Sequence, residues 1–311
     1  MNEALRAKIA RAAEDVPQFG PGTFPALVPG RVLHLDGDYL AYFAAGNDDC
    51  EPGQARQNAF GRIETTRLLT GSESVVVHLS APGCTKANRY LIATVKAYQG
   101  QRTGRKPRNW AYLREVLERY EGPKFRPKVW VTREADDGVA YCAAINDIAI
   151  STRDKDFRML PGLHINWMTW ERTEVPRGAY DVTGSDGLQY GRKWFYLQLL
   201  QGDTADNIPG LPKLFGSQCG EATARKYMAH APDTACAYDH VQTAYADFYG
   251  TGWADALVEQ AALLWLRTDA QASIANVSEA FPDCPHIKRA LERLEARVTT
   301  ELNELNKIKG I

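Results

Sequence analysis

The sequence contains no C-x-x-C pair; its six cysteines, Cys50, Cys84, Cys142, Cys219, Cys236 and Cys284, are scattered. That spacing offers neither a zinc site nor a disulfide framework, and it suits a reducing compartment. The six histidines are equally dispersed, without H-x-x-H or H-E-x-x-H, so an imidazole metal centre has no support either. No apolar run approaches the ~20 residues that cross a bilayer. The opening MNEALRAKIARAAEDV mixes both charge signs, as a short amphipathic helix does and a secretion signal does not. A soluble protein of the cytoplasm, without a membrane partner, is expected. Excess charge is missing too: 37 basic against 38 acidic side chains leave a net charge of −1. Bulk charge therefore neither demands nor excludes a polyanionic partner, and only its distribution can decide. What is present is an ordinary apolar fraction of 44% in 311 residues, enough for one large domain or two unequal ones.

GPGTFPALVPG (20–30) reads as a connector after the first helix, so residues 1–29 form a lead-in. RVLHLDGDYLAYFAAG reads as a buried strand then a helix, and SVVVHLSAPG as a second strand with a glycine turn. NRYLIATVKAY reads as helical, QGQRTGRKPRN as a basic loop and WAYLREVLERYEG as a helix. KVWVTREADDGVAYCAAIN and IAISTRDKDFRML each pass from strand through an acidic turn. Strands alternating with helices imply an α/β domain, residues 30–195, with a mainly parallel sheet and helices on both faces. From GRKWFYLQLLQGD onward the pattern turns helical, which sets off a smaller all-α segment, residues 196–311. Within it Ile287, Leu291, Leu294, Val298, Leu302 and Leu305 recur at helical spacing, as on a helix packed against the protein's own core.

Acids sit where strands end. Asp36 and Asp38 follow the first strand; Glu134, Asp136 and Asp137 follow KVWVT; Asp154 and Asp156 follow IAIST; LQGDTADNIPGLP adds Asp203 and Asp206. Taken singly, each group reads as a turn or a helix cap. Together they fall at the edge of a parallel sheet where ligands bind. Two carboxylates ~4 Å apart repel by roughly 4 kcal/mol at an effective dielectric of 20, so the cluster calls for cations. All-oxygen donors suit Mg²⁺ or Mn²⁺, and two such ions ~3.5–4 Å apart are the usual apparatus for cutting a phosphodiester.

In that order, TREADDGVAY, STRDKDF and LQGDTADNIPGLP resemble the 5′ nuclease family: flap endonucleases, the 5′→3′ exonuclease domain of bacterial DNA polymerase I and stand-alone bacteriophage exonucleases. The resemblance implies a PIN-like nuclease core with a helical-hairpin DNA-binding segment. It implies one divalent ion on Asp36, Glu134 and Asp136, with Asp137 nearby, and a second on Asp154, Asp156 and Asp203, supported by Asp206. The family has another acid at the end of its second strand, where this chain has Ser80 or Ala81. VKAYQGQRTGRKPRNW resembles the family's Y-K-x-x-R segment: Tyr98 and Arg102 match, Gln99 replaces the lysine, and Lys96 lies one helical turn earlier. Lys96 and Arg102 are thus the expected catalytic cations, with Tyr98, Arg105, Lys106 and Arg108 on DNA. GLPKLFGSQCGEATARKYM resembles the glycine-rich hairpin that grips duplex, often with a monovalent cation; Gly210, Gly220, Thr223 and Ala224 fit, and Lys213, Arg225 and Lys226 add charge. The expected activity is 5′→3′ hydrolysis of DNA at a free 5′ end, flap or nick, with RNA–DNA hybrid as a further substrate, by a monomer. Two alternatives stay open: a haloacid-dehalogenase-type phosphatase, from DGD and GDTAD, and a DNA-structure-binding protein that does not cut.

Overall fold

The computed structural model describes residues 24–102 and 104–310; the helix expected over MNEALRAKIARAAEDV lies outside them. The first half alternates strand and helix: β1 (Val28–Asp36), α1 (Gly37–Ala44), α2 (Pro52–Thr70), β2 (Ser72–Ser80), α3 (Arg89–Ile92), α4 (Trp110–Glu118), β3 (Arg126–Trp130), α5 (Ala135–Ile145) and β4 (Ile148–Ser151). β5 (Gly162–Ile165) and β6 (Arg172–Val175) complete a sheet of order β3-β2-β1-β4-β5-β6. Every neighbouring pair is parallel except β5 with β6. The two-residue period of β1 and β2 divides their side chains between the faces. Leu33, Leu35, Val75, Val77 and Leu79 join the cores of α1, α2 and α4 on one face. His34 and His78 lie on the other, against Cys142 of α5. Gly37 makes the first packing possible, because a Cβ there would sit 2.5 Å from Leu79 and 2.7 Å from the His78 carbonyl oxygen.

A short ribbon, β7 (Val182–Thr183) with β8 (Gln189–Tyr190), leads into α6 (Arg192–Gln201). Beyond it come β9 (Lys213–Leu214), β10 (Ser217–Gln218), α7 (Glu221–Tyr227), α8 (Thr234–Tyr249), α9 (Trp253–Leu264) and α10 (Pro285–Lys309). The segment read as all-α thus contains a β-hairpin at KLFGSQ. Phe215 and Gly216 at its tip both have positive φ (52° and 77°), as a two-residue hairpin turn demands.

NRYLIATVKAY is a second correction: only Arg89–Ile92 is helical. Ala93 is extended, and the Thr94 N–H and hydroxyl bind the Glu259 carboxylate at 2.9 and 2.6 Å, which takes the chain off the helical path. In α10, Ile287, Leu291, Leu294 and Val298 are buried while Leu302 and Leu305 are half-buried. Arg297 from the same helix donates to the Leu91 and Ile92 carbonyls, closing the C-terminal end of α3. One apolar cluster runs from Ile92, Val139 and Ile148 through Trp194–Leu200 to Val298, so both segments share a core. Among the described residues no helix is long and apolar enough to cross a membrane.

A candidate metal centre at the sheet's switch point

β1 is hydrogen-bonded to β2 on one side and β4 on the other, so the chain winds in opposite directions from it. The crevice beyond the carboxyl ends of β1 and β4 is where open α/β sheets bind ligands. Asp36, the last residue of β1, is 3% exposed; its Oδ1 accepts from Tyr39 N at 2.9 Å and its Oδ2 from the Thr152 hydroxyl at 3.0 Å. Glu134 caps α5, which places Asp136 in the first turn, where the helix dipole favours an acid. Asp154 caps the short 3-10 turn Lys155–Met159 and accepts from Asp156 N at 3.0 Å. Asp156 accepts from the buried Gln198 amide at 2.5 Å.

The loop between α6 and β9 brings the last two acids. Asp203 and Ile208 exchange backbone hydrogen bonds of 2.8 and 2.7 Å, which closes the loop as a small bridge. Gly202 and Gly210 lock its base: both have positive φ, and a Cβ on Gly210 would lie 2.2 Å from Gly202 N. Asp203 Oδ1 then accepts from Ala205 N (2.8 Å) and from the Lys155 ammonium (2.7 Å). Asp206 accepts from the Tyr98 hydroxyl at 2.8 Å, from the Gln99 amide at 3.2 Å and from the Arg102 guanidinium.

The acids feel one another's charge. Burial is the main force raising Asp36, to about 6, with Glu134 adding to it. Burial likewise raises Asp154 to about 7, helped by Asp36, Asp206 and Asp203. Asp136 is raised by burial and then by Asp36, Asp154 and Glu134; Asp156 by burial and then by Asp154, Asp203 and Asp206. Four stretches of chain far apart in sequence thus share one field of negative charge, offset in part by Lys155 at Asp203, Arg102 at Asp206 and Lys86 and Arg89 at Glu134.

All-carboxylate donors fit hard divalent cations. Among the described residues no three of these carboxylates bring oxygens within 4.8 Å of one another. An ion here would therefore be held directly by fewer than three of them, as Mg²⁺ can be, with waters or phosphate oxygens on its other positions. The trio that does meet the 4.8 Å limit is His34, His78 and Cys142, buried under α5. Three of its four ring nitrogens are already committed. The Trp130 indole N–H donates to His78 Nδ1 at 3.0 Å, which leaves the His78 proton on Nε2 to donate to His34 Nδ1 at 2.8 Å. Burial, with Lys128 and Arg126 nearby, holds both imidazoles neutral, His34 at about 4. This chain of rings is a hydrogen-bonded core network.

No family model matches the sequence. The thermostable DNA polymerase I of Thermus thermophilus is 26% identical over 288 aligned residues, covering 86% of this chain and 32% of that protein. The thermostable DNA polymerase I of Thermus filiformis is 28% identical over 218, covering 65% and 24%. The chain spans about a third of the length of the first of these relatives and a quarter of the second. Among solved structures, a bacteriophage T5 flap endonuclease in a pseudo-enzyme–product complex with DNA and metal ions superposes with a TM-score of 0.57 at 13% identity, covering 86% of this chain and 99% of that one. The T5 5′-exonuclease with bound zinc superposes at 0.55 and 15% identity, over the same shares. This is a 5′ nuclease fold.

Within the 5′ nuclease fold the chain's departures have particular causes. Asp137 is not free for a metal: Arg89 grips both its oxygens at 2.7 Å and Arg267 N donates to it at 2.8 Å. Asp38 faces Ser80 N and the Arg114 guanidinium, so the acid pair a phosphatase would need beside Asp36 is not assembled. Ser80 itself accepts from Ala135 N at 3.0 Å, and its carbonyl takes an Arg114 N–H. Tyr98 is half-buried and bridges two acids, its hydroxyl 2.8 Å from both Glu134 and Asp206.

Arg102 reaches the site, but Lys96 is exposed on the bend before it. Arg105 pairs with Asp48 at 3.5 Å, Arg108 donates to the Asp48 carbonyl and Lys106 lies 3.4 Å over the Trp110 ring, so this loop folds back beside the site. In the hairpin segment Gly210 is committed to the loop lock and Gly220 precedes α7. Thr223 is half-buried, Arg225 pairs with Glu221 at 2.9 Å, and Lys213 and Lys226 are exposed. Four residues that sequence reasoning missed, Lys86, Arg89, Lys155 and Gln198, hold the acids in place. Only Lys155 had a signal, lying between two of them.

Proposed function

We propose that the protein is a divalent-metal-dependent 5′ nuclease that hydrolyses DNA phosphodiesters at a free 5′ end, flap or nick. The observation that carries this reading is the gathering of Asp36, Asp136, Asp154, Asp156 and Asp203 at the switch point, each of the first four raised by burial and by its neighbours. Asp36, Glu134 and Asp136 would serve one Mg²⁺ or Mn²⁺, and Asp154, Asp156 and Asp203 a second, with Asp206 supporting; one or two carboxylates of each set would touch the ion and the others would reach it through water. When bound, such ions supply an activated water and stabilise the leaving oxygen. Thr152, Gln198 and Tyr98 fix the rotamers of Asp36, Asp156 and the Glu134–Asp206 pair. Arg102 counters charge on the reacting phosphate. Exposed Arg105, Lys106, Arg108, Lys213 and Lys226 track the strand by phosphate contacts, which makes binding fall with salt. The T5 complex with DNA and metal ions supports this reading by its fold. We take the protein to act as a monomer in the cytoplasm and to accept RNA–DNA hybrids as well.

The test is a time course on 5′-labelled flap, nicked, overhang, blunt and hybrid substrates, with and without Mg²⁺, in wild type and Asp154→Ala. Mg²⁺-dependent cutting that disappears in the variant is expected. Tight flap binding with no cutting by wild type would leave a DNA-structure-binding protein instead.

A further inference from the structure

We propose that Lys86 is a catalytic cation of this site and contacts the phosphate that is cut. The proposal rests on the nuclease reading and adds a residue to it. Gln99 stands where the Y-K-x-x-R wording has its lysine, yet an ammonium is present: Lys86 Nζ donates to Gln99 Oε1 and lies 3.3 Å from Glu134 Oε1. It also sits 5.9 Å from the centre of the Tyr98 ring.

Arg89 is enclosed by Asp137 and the Leu263 and Trp265 carbonyls, and Lys155 is held by Asp203 at 2.7 Å. Arg102, paired with Asp206 and the Ala205 carbonyl, is the other open cation beside the acids. Lys86 alone among these four touches a side-chain amide, and its ion pair with Glu134 is a loose 3.3 Å on a side chain 37% exposed, so a phosphate oxygen arriving beside Glu134 can replace one of its partners.

Its backbone supports the same conclusion. Lys86, Ala87 and Asn88 have φ of 52°, 50° and 58°, three consecutive left-handed residues without a glycine. Such conformations persist only where the surroundings impose them, and they concentrate at functional sites. Here the turn is sewn to the segment that leads into Glu134. Thr85 N donates to the Val131 carbonyl at 3.1 Å, Ala87 N to Thr132 at 2.8 Å and the Cys84 thiol to Arg133 at 2.9 Å. The strained turn delivers an ammonium from 13 residues upstream to the Gln99 side chain.

Single-turnover cleavage of a 5′-flap in saturating Mg²⁺ tests this in Lys86→Ala, Lys96→Ala and the double variant Lys86→Ala with Gln99→Lys. Loss of one aimed charge donor lowers the rate by about 10²–10³-fold. That loss is expected in Lys86→Ala with a much smaller change in flap-DNA Kd, and it should be largely restored in the double variant. Thermal melts confirm that each variant is folded. A merely structural ion pair would lower Tm and leave the cleavage rate at the wild-type value, which would overturn the assignment. A larger loss in Lys96→Ala, or no rescue by Gln99→Lys, would overturn it as well. A wild type that cuts nothing sinks the nuclease reading and this assignment together, whereas wild-type cutting that survives Lys86→Ala sinks this assignment alone.

Discussion

Replacing Asp137 by asparagine separates two jobs that a carboxylate beside Glu134 and Asp136 could have. Asp137 is fully buried and Arg89 is 2% exposed at the side chain, with two hydrogen bonds of 2.7 Å between them. The same carboxylate accepts from Arg267 N, and Arg89 also donates to the Leu263 and Trp265 carbonyls, so the pair ties α5 to the end of α9. Burial works against the ionised form of Asp137, but Arg89 outweighs it and holds the carboxyl below its usual value. Its contribution to stability is therefore present above about pH 4 and is lost as pH falls through the lowered folded-state value.

Removing one partner of a buried pair strands the other's charge, at a cost of about 3–5 kcal/mol. At roughly 2–4 °C per kcal/mol in a large domain, Asp137→Asn should lower Tm by about 6–20 °C near neutral pH, read by circular dichroism. Replacing both partners with apolar side chains, Arg89→Met with Asp137→Leu, should recover much of that loss. Mg²⁺ should still raise the Tm of Asp137→Asn, because this side chain holds Arg89 and not the ion. An unchanged Tm combined with loss of the Mg²⁺-induced rise would refute the reasoning and return Asp137 to the metal.

In EDTA, Asp36 and Asp154 titrate at about 6 and 7 in the folded protein against 3.8 unfolded, so the stability they give is complete below about pH 4 and is lost as pH rises towards 7. Tm without metal should accordingly fall between about pH 5 and pH 8, and Mg²⁺ should raise it most at the alkaline end; a Tm that climbs over this window counts against the cluster. Lys155→Gln removes the ammonium held by Asp203, and calorimetry should show tighter Mn²⁺ binding; weaker binding would mean that Lys155 orders the site more than it competes for it. Gly210→Ala forces a Cβ to within 2.2 Å of Gly202 N at a φ of 65° and should cost more than 1 kcal/mol of stability in urea melts. A wild-type midpoint would mean that the loop can rearrange.

The parallel sheet was legible because Val, Leu and Ile runs ended at aspartates, and strand ends were where the acids mattered. Asp36, Asp154 and Asp203 could be placed near one another from order alone. Asp137 could not be told from Asp136, since adjacent residues at a helix start look alike until the helix shows which one faces Arg89. The β-hairpin at KLFGSQ is hidden within the segment expected to be all-α because Phe215, with its positive φ, does not announce itself as Asn or Gly would. NRYLIATVKAY has helical spacing, yet Glu259, more than 160 residues away in sequence, captures Thr94 and ends the helix. Lys86 left no local mark, because its position depends on a backbone turn that only the Val131–Arg133 segment imposes.

Arg297 reaches from the last helix to the carbonyls of Leu91 and Ile92, just upstream of Tyr98. Shortening the protein from its carboxyl end would therefore be felt first at the crevice where the acids gather, long before the sheet noticed. A minimal fragment ending near residue 195 would lose about three quarters of the shared apolar cluster and leave the rest facing water, so a smaller working version must keep its final helix.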